Sequence, residues 1–166
     1  MGNYAITLGN FIKNGSNFTS QVTQDANLQI NQLAVTLGSV VPTKTYDGNT
    51  AVQTTVAVAN RVGTDDVAVR GVGNFTDNKN VGNTHTYSLS AQLTGAAAGN
   101  YYLSSSTLTG SNGVITPAAL TISGITAASK TYDGTATASL NLAGLVRSGL
   151  IGADEVTVNA TGLFAD

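Results

Sequence analysis

Two acidic pairs are the first residues in this sequence that could do chemistry, Asp65-Asp66 and Asp154-Glu155. Adjacent carboxylates suit a hard divalent cation such as calcium, which takes six or more oxygen ligands. Two carboxylates fall short of that number, so each pair is a calcium candidate only with help from elsewhere and is otherwise a solvated turn. Tyr46-Asp47-Gly48 and Tyr132-Asp133-Gly134 form a second kind of feature. A tyrosine beside an aspartate can stack on a sugar ring while the carboxylate accepts sugar hydroxyls. The plainer reading buries the ring and leaves Asp and Gly to make a turn, the carboxylate accepting local backbone N–H bonds. Lys44 and Lys130, close in sequence to Asp and Asn side chains, could close an isopeptide crosslink in a chain with no cysteine.

His85 is the single histidine, and the chain is internally repeated with its counterpart position falling near Gly2. A zinc site needs three or four ligands, and there is neither a second His nor any Cys to supply them. A Ser-His-Asp triad is equally unsupported, and His85 reads as a surface strand residue. No Gly-Lys-Ser/Thr phosphate loop occurs. No catalytic residue, metal ligand set or cofactor site is therefore expected, and the chain reads as non-enzymatic.

The elements that position these residues must be strands. Apolar residues make up 42% of the chain, but aromatics are only 6% and Trp is absent, so the core is built from Val, Leu, Ile and Ala with a few rings. Charged residues are 10%, against roughly 25% in an average soluble domain. Thr, Ser, Asn and Gly take their place, and these short polar side chains suit strand faces and turns. Helices would want Glu, Lys and Arg on the wet side, and Glu155 is the sole Glu. With a net charge of −2 and its seven Lys and Arg scattered, the chain has no nucleic-acid footprint. No apolar run approaches the roughly 20 residues of a spanning helix. The start, MGNYAITLGN, lacks the basic and apolar regions of a signal peptide. If the protein is exported, its signal lies elsewhere and this chain is an internal fragment.

Repetition organises the sequence. Lys44-Thr45-Tyr46-Asp47-Gly48 recurs as Lys130-Thr131-Tyr132-Asp133-Gly134, an offset of 86. Gly63-x-Asp65-Asp66-Val67-x-Val69 recurs as Gly152-x-Asp154-Glu155-Val156-x-Val158, and Phe75-x-Asp77 as Phe164-x-Asp166, both at 89. Tyr4 matches Tyr87, and Asn17-Phe18 matches Asn100-Tyr101, at 83. Two frames are open. In one, residues 31–116 are a complete unit, 1–30 end a preceding unit and 117–166 begin the next. In the other, the units are 1–80 and 81–166. Pro117 favours the first, because proline removes a ladder donor and suits a linker between strands.

Period-2 alternation predicts strands over residues 52–58, 87–93, 101–108, 118–123 and 155–159. Turn signals divide them at Asp47-Gly48, Asp133-Gly134, Asn14-Gly15, Asn112-Gly113 and Gly99-Asn100. Residues 144–152 have room for one helical turn. The expected fold is all-β, a tandem of immunoglobulin-like β-sandwich units, with a β-grasp-like sheet carrying one short helix as the alternative.

The ordered motifs also carry a resemblance. Lys-Thr-Tyr-Asp-Gly, Gly-x-Asp-Asp/Glu-Val, Phe-x-Asp, Asn80-Val81-Gly82, Gly99-Asn100-Tyr101 and Ile115-Thr116-Pro117-Ala118 together resemble the YDG repeat of filamentous-haemagglutinin-like bacterial exoproteins. The first 37 residues, with Gly2-Asn3-Tyr4-Ala5-Ile6-Thr7 and Gly15-Ser16-Asn17-Phe18, resemble the tail of the related MBG-type repeat. One departure is Ile30-Asn31-Gln32-Leu33, which stands where Ile-Thr-Pro-Ala would be expected. The resemblance implies a secreted, cell-surface protein of a Gram-negative bacterium, with repeats serving as stalk or spacer in adhesion or biofilm formation. The expected partners are neighbouring repeats of the same chain, and a glycan or host surface protein if the repeat is instead a binding module.

Overall fold

The computed structural model describes residues 3–6 and 26–165, and their regular structure is nearly all β. The strands are β1 (Asn3–Ile6), β2 (Ala26–Gln29), β3 (Leu33–Ala34), β4 (Thr43–Thr45), β5 (Ala51–Ala57), β6 (Ala68–Phe75), β7 (Gly82–Thr94), β8 (Tyr101–Tyr102) and β9 (Thr107–Thr116). They continue with β10 (Thr121–Ser123), β11 (Thr126–Ala127), β12 (Thr137–Ala138), β13 (Leu140–Asn141), β14 (Val146–Ser148) and β15 (Gly162–Leu163). One 3-10 turn, Ala98–Asn100, precedes β8.

Residues 43–116 build a five-stranded sheet in the order β4-β9-β7-β6-β5. β4 runs parallel to β9, and the other pairs are antiparallel. The long strands alternate as their sequences dictate. Val52 and Val56 of β5, Val69 and Phe75 of β6, His85, Tyr87, Leu89 and Ala91 of β7, and Leu108 and Ile115 of β9 point to one buried face. The intervening Gln, Thr, Ser, Arg and Asn side chains point to water. The buried face is covered by Val58, Val67, Tyr101 and Pro42, with Val35, Leu37, Val40 and Leu103 packed at its margin.

The β7–β9 pair carries two compensating irregularities. Tyr87 faces Gly110 but His85 faces Gly113, so β9 holds one extra residue there. Gly82 then faces Ile115, so β7 holds one extra residue further on. The first bulge places Ser111 and Asn112 outside together and returns Gly113 to the buried face. A Cβ on Gly113 would collide with the Phe75 ring, which explains glycine inside this strand. The turn expected at Asn112-Gly113 is therefore a bulged strand.

Residues 117–166 repeat the beginning of this arrangement. Thr137 and Ala138 pair with Leu163 and Gly162, as Ala51 and Val52 pair with Asn74 and Gly73. Ile122 pairs with Arg147 where Leu37 bridges Val58. These partners correspond at the offsets of 85 to 89 seen in the sequence, so the register itself is repeated. The 166 residues hold no later counterpart of β7 and β9, and the second copy has only two-stranded pieces with Leu163 and Phe164 exposed. That explains one departure from expectation, and a second stands beside it. Residues 155–159 form no strand, because a strand needs neighbours. Residues 144–152 hold β14 between turns rather than a helical turn. Residues 101–108 divide into β8 and the start of β9, and Gly99-Asn100 closes the 3-10 turn. Asn14-Gly15 lies outside the described residues.

Candidate functional site

The segment Lys44-Thr45-Tyr46-Asp47-Gly48 leaves the sheet at the end of β4, and its second copy, Lys130 to Gly134, lies between β11 and β12. In both copies the glycine has a positive φ, +82° at Gly48 and +76° at Gly134, where any side chain would be strained. In both copies the aspartate accepts a backbone N–H two residues on, Asn49 at 3.2 Å and Thr135 at 2.9 Å. This is the Asx-type turn expected of the motif.

The lysine is the residue that sequence reasoning undervalued. Lys44 Nζ lies 2.6 Å from Asp47 Oδ1 and also donates to the carbonyls of Ala51 (2.7 Å) and Asn49 (3.1 Å) and to Asn49 Oδ1 (3.0 Å). Lys130 Nζ reaches Asp133 Oδ1 (2.8 Å), the Thr135 carbonyl (2.6 Å) and Thr135 Oγ1 (2.9 Å), and sits 5.9 Å from the centre of the Phe164 ring. The lysine thus staples the turn to the start of the next strand. Its presence in both copies, three residues before the aspartate, was the available signal. The Lys44 ammonium holds the Asp47 carboxylate below its usual range, the Asn49 N–H adding to the effect and burial opposing it. Lys130 does the same for Asp133, helped by the Thr135 N–H and hydroxyl.

The two tyrosines differ. Tyr46 is half-buried against the core, whereas Tyr132 is 94% exposed, so the expected burial of the ring holds in the first copy and fails in the second. The difference lies in the chain downstream of each turn. Parallel pairing of Thr45 with Thr116, continued by the Tyr46 N–H to the Thr116 carbonyl (2.8 Å), brings Tyr46 to the point where the chain crosses Pro117. There Tyr46 borders a cleft of about 160 Å³ whose other walls include Ala118, Leu120, Ile151 and Asp154. The neighbouring Asp154 carboxylate, together with partial burial and the charge of Asp47, raises the Tyr46 pKa above the ordinary value.

The acidic pairs are drawn into separate contacts. Tyr101, buried, donates its hydroxyl to Asp65 Oδ2 (2.8 Å) and accepts the Val62 N–H (2.9 Å). That N–H favours the ionised phenol, but burial and the Asp65 carboxylate outweigh it and the Tyr101 pKa is raised. Asp66 Oδ2 accepts the Ala96 N–H (3.0 Å) and its carbonyl accepts the Ala97 N–H (2.9 Å). Asp154 faces Tyr46, and Glu155 is exposed. Among the described residues no three His, Cys, Asp or Glu side chains come together as a metal cluster.

His85 corrects an expectation. It is 4% exposed, on the inner face of β7, with its ring 5.1 Å from that of Phe75 and Nδ1 2.9 Å from Asp77 Oδ2. Nε2 has no hydrogen-bond partner among the described residues. Burial pushes the Asp77 carboxyl up, but the Asn78 N–H and His85 outweigh it, and the pKa lies below the ordinary value. The period-2 register of Tyr87, Leu89 and Ala91 places residue 85 on this same inner face, and that signal was present in the sequence.

Among the described residues no helix is long and apolar enough to cross a membrane. No curated protein and no solved structure matches the chain at a significant level. The sequence pattern of the YDG domain matches residues 29–109 and again residues 116–166, together most of the chain. Both matched stretches contain the lysine-stapled turn, and the chain belongs to the YDG domain family.

Proposed function

We propose that this chain is a stalk or spacer segment of a large secreted adhesin on a Gram-negative cell surface, serving adhesion or biofilm formation in the manner of filamentous-haemagglutinin-like proteins. The observation that carries the reading is the repeated register. The pairing of residues 137–138 with 162–163 reproduces that of 51–52 with 73–74, so one architectural unit recurs within a single chain. Repetition of a unit gives reach, and reach is what a spacer supplies. We take the unit as residues 31–116, because all five strands of the sheet fall inside it. A cut near residue 80 would part β6 from β7, its neighbour in that sheet. An immunoglobulin-like description suits a sheet with one covered face. A non-enzymatic role accords with a sole histidine buried between Phe75 and Asp77.

A binding-module reading has one observation in its favour. Tyr132 is 94% exposed, with Lys130, Thr135 and Phe164 around a shallow depression beside it, a surface on which a sugar ring could stack. The two readings separate on immobilised chain probed with a glycan array and with host surface proteins. A spacer gives no saturable binding. Saturable binding that Tyr132→Ala abolishes, with the fold intact, would replace the spacer reading by the binding one.

A further inference from the structure

We infer that the Tyr-Asp-Gly turn of each unit is a knob that docks into the following unit, between the stretch after its linker proline and its Gly-x-Asp loop. Consecutive units are thereby coupled rather than freely strung. The interface is present within this chain. Tyr46 and Asp154, from different copies, border one cleft together with Pro117, Leu120 and Ile151. The approach is close: a Cβ on Gly48 would lie 3.0 Å from Ile151 Cγ2. Glycine at this position therefore serves the turn and also lets the neighbouring unit in.

The second copy supplies the matched comparison. Its turn has the same positive-φ glycine and the same lysine staple, so the turn forms whether or not a unit is docked on it. A Cβ on Gly134, unlike one on Gly48, would meet nothing within 4 Å. No later counterpart of residues 149–156 occurs within the 166 residues, and Tyr132 projects into water. The lysine and aspartate thus build the turn, and the tyrosine is left over for the neighbour. On the receiving side, Asp65 shows how the same loop takes a tyrosine hydroxyl, accepting from Tyr101 through Oδ2. An ionised carboxylate has about four acceptor sites. The aspartate of a full unit can therefore hold its own tyrosine and the knob of the preceding unit at once.

The inference deepens the spacer reading and rests on it for its purpose, since docked units fix the direction as well as the length of a stalk. It is tested on the full 166-residue chain by amide hydrogen exchange. Tyr46→Ala should lower protection of residues 146–154, where β14 pairs with β10 and the Asp154 N–H donates to the Ile151 carbonyl, by roughly tenfold, the local opening expected when one packed ring is lost. Tyr132→Ala, at the same motif position, should leave protection throughout the chain unchanged. From the receiving side, Ile151→Ser should raise exchange at residues 46–49, and this variant decides the matter if Tyr46→Ala does not fold. Unchanged protection at 146–154 in Tyr46→Ala, or equal effects of the two tyrosine variants, would overturn the docking. Freely jointed units also give reach, so that result would leave the spacer reading standing, and the glycan and host-protein binding assay tests that reading separately.

Discussion

Replacing Lys44 with Met keeps the apolar stem and removes the ammonium that staples the turn. Four acceptors surround Nζ, and the side chain is 11% exposed, so water replaces few of these bonds. The bonds to the Asn49 and Ala51 carbonyls contribute about 1 kcal/mol each, after allowing for their exchange with water. The ion pair contributes less than about 1 kcal/mol, because Asp47 is 48% exposed and solvated without its partner. The expected loss is about 2 kcal/mol. For a domain of this size that lowers Tm by about 10 °C. Urea unfolding followed by tyrosine fluorescence should show a lower midpoint at unchanged slope, since the sheet buries the same surface. Lys130→Met should do less than half as much, its side chain being 27% exposed and its partners Asp133 and Thr135 exposed as well. Lys44→Met falling within about 0.5 kcal/mol of the parent, a surface-substitution effect, would refute the staple.

Three further outcomes rest on the same contacts. Gly73→Ala should destabilise by about 1–3 kcal/mol in chemical denaturation, because its Cβ would meet the Ser88 carbonyl oxygen across the sheet. Gly162→Ala, its counterpart, should be milder, since the nearest atom is the flexible end of Leu140. Stability should fall at both extremes of pH. Asp47, Asp77 and Asp133 have lowered pKa values in the fold, so their contribution is full above the unfolded carboxylate range of about 4 and is lost as pH drops through the folded values. Tyr46, Tyr87 and Tyr101 have raised values, so theirs is full below about 10 and is lost as pH climbs past it, which thermal melts across pH would trace. Calcium or a chelator should leave Tm unchanged, since Asp65 and Asp66 already accept protein hydrogen bonds and no third ligand joins them among the described residues. A calcium-dependent rise would revive the acidic pairs as a site.

Much of the fold was legible because strand alternation and duplication are local or self-referential properties of a sequence. Residues 52–58 read as a strand and fall in β5 up to Ala57, residues 87–93 lie in β7, and the Asp-Gly turns form as their chemistry requires. The features that escaped depended on neighbours. Asn112-Gly113 has the composition of a turn, but continuous pairing with β7 and the space required by the Phe75 ring make it a bulge. Residues 155–159 alternate well yet lack a partner strand, and alternation without a partner does not make a sheet. Tyr46 and Tyr132 are identical in motif and opposite in exposure, a difference set far downstream, by whether a segment like residues 149–156 is there to receive the ring. The staple was missed because a lysine three residues from an aspartate usually signals a solvated ion pair. Here the ammonium is also turned onto two backbone carbonyls.

Small-angle scattering of chains carrying one, two and four tandem copies of residues 31–116 tests the spacer account most directly. The account predicts that the maximum dimension grows by an equal increment per added copy, as a coupled rod does. Growth of the radius of gyration only as about the 0.38 power of chain length, as for a single compact body, would contradict it.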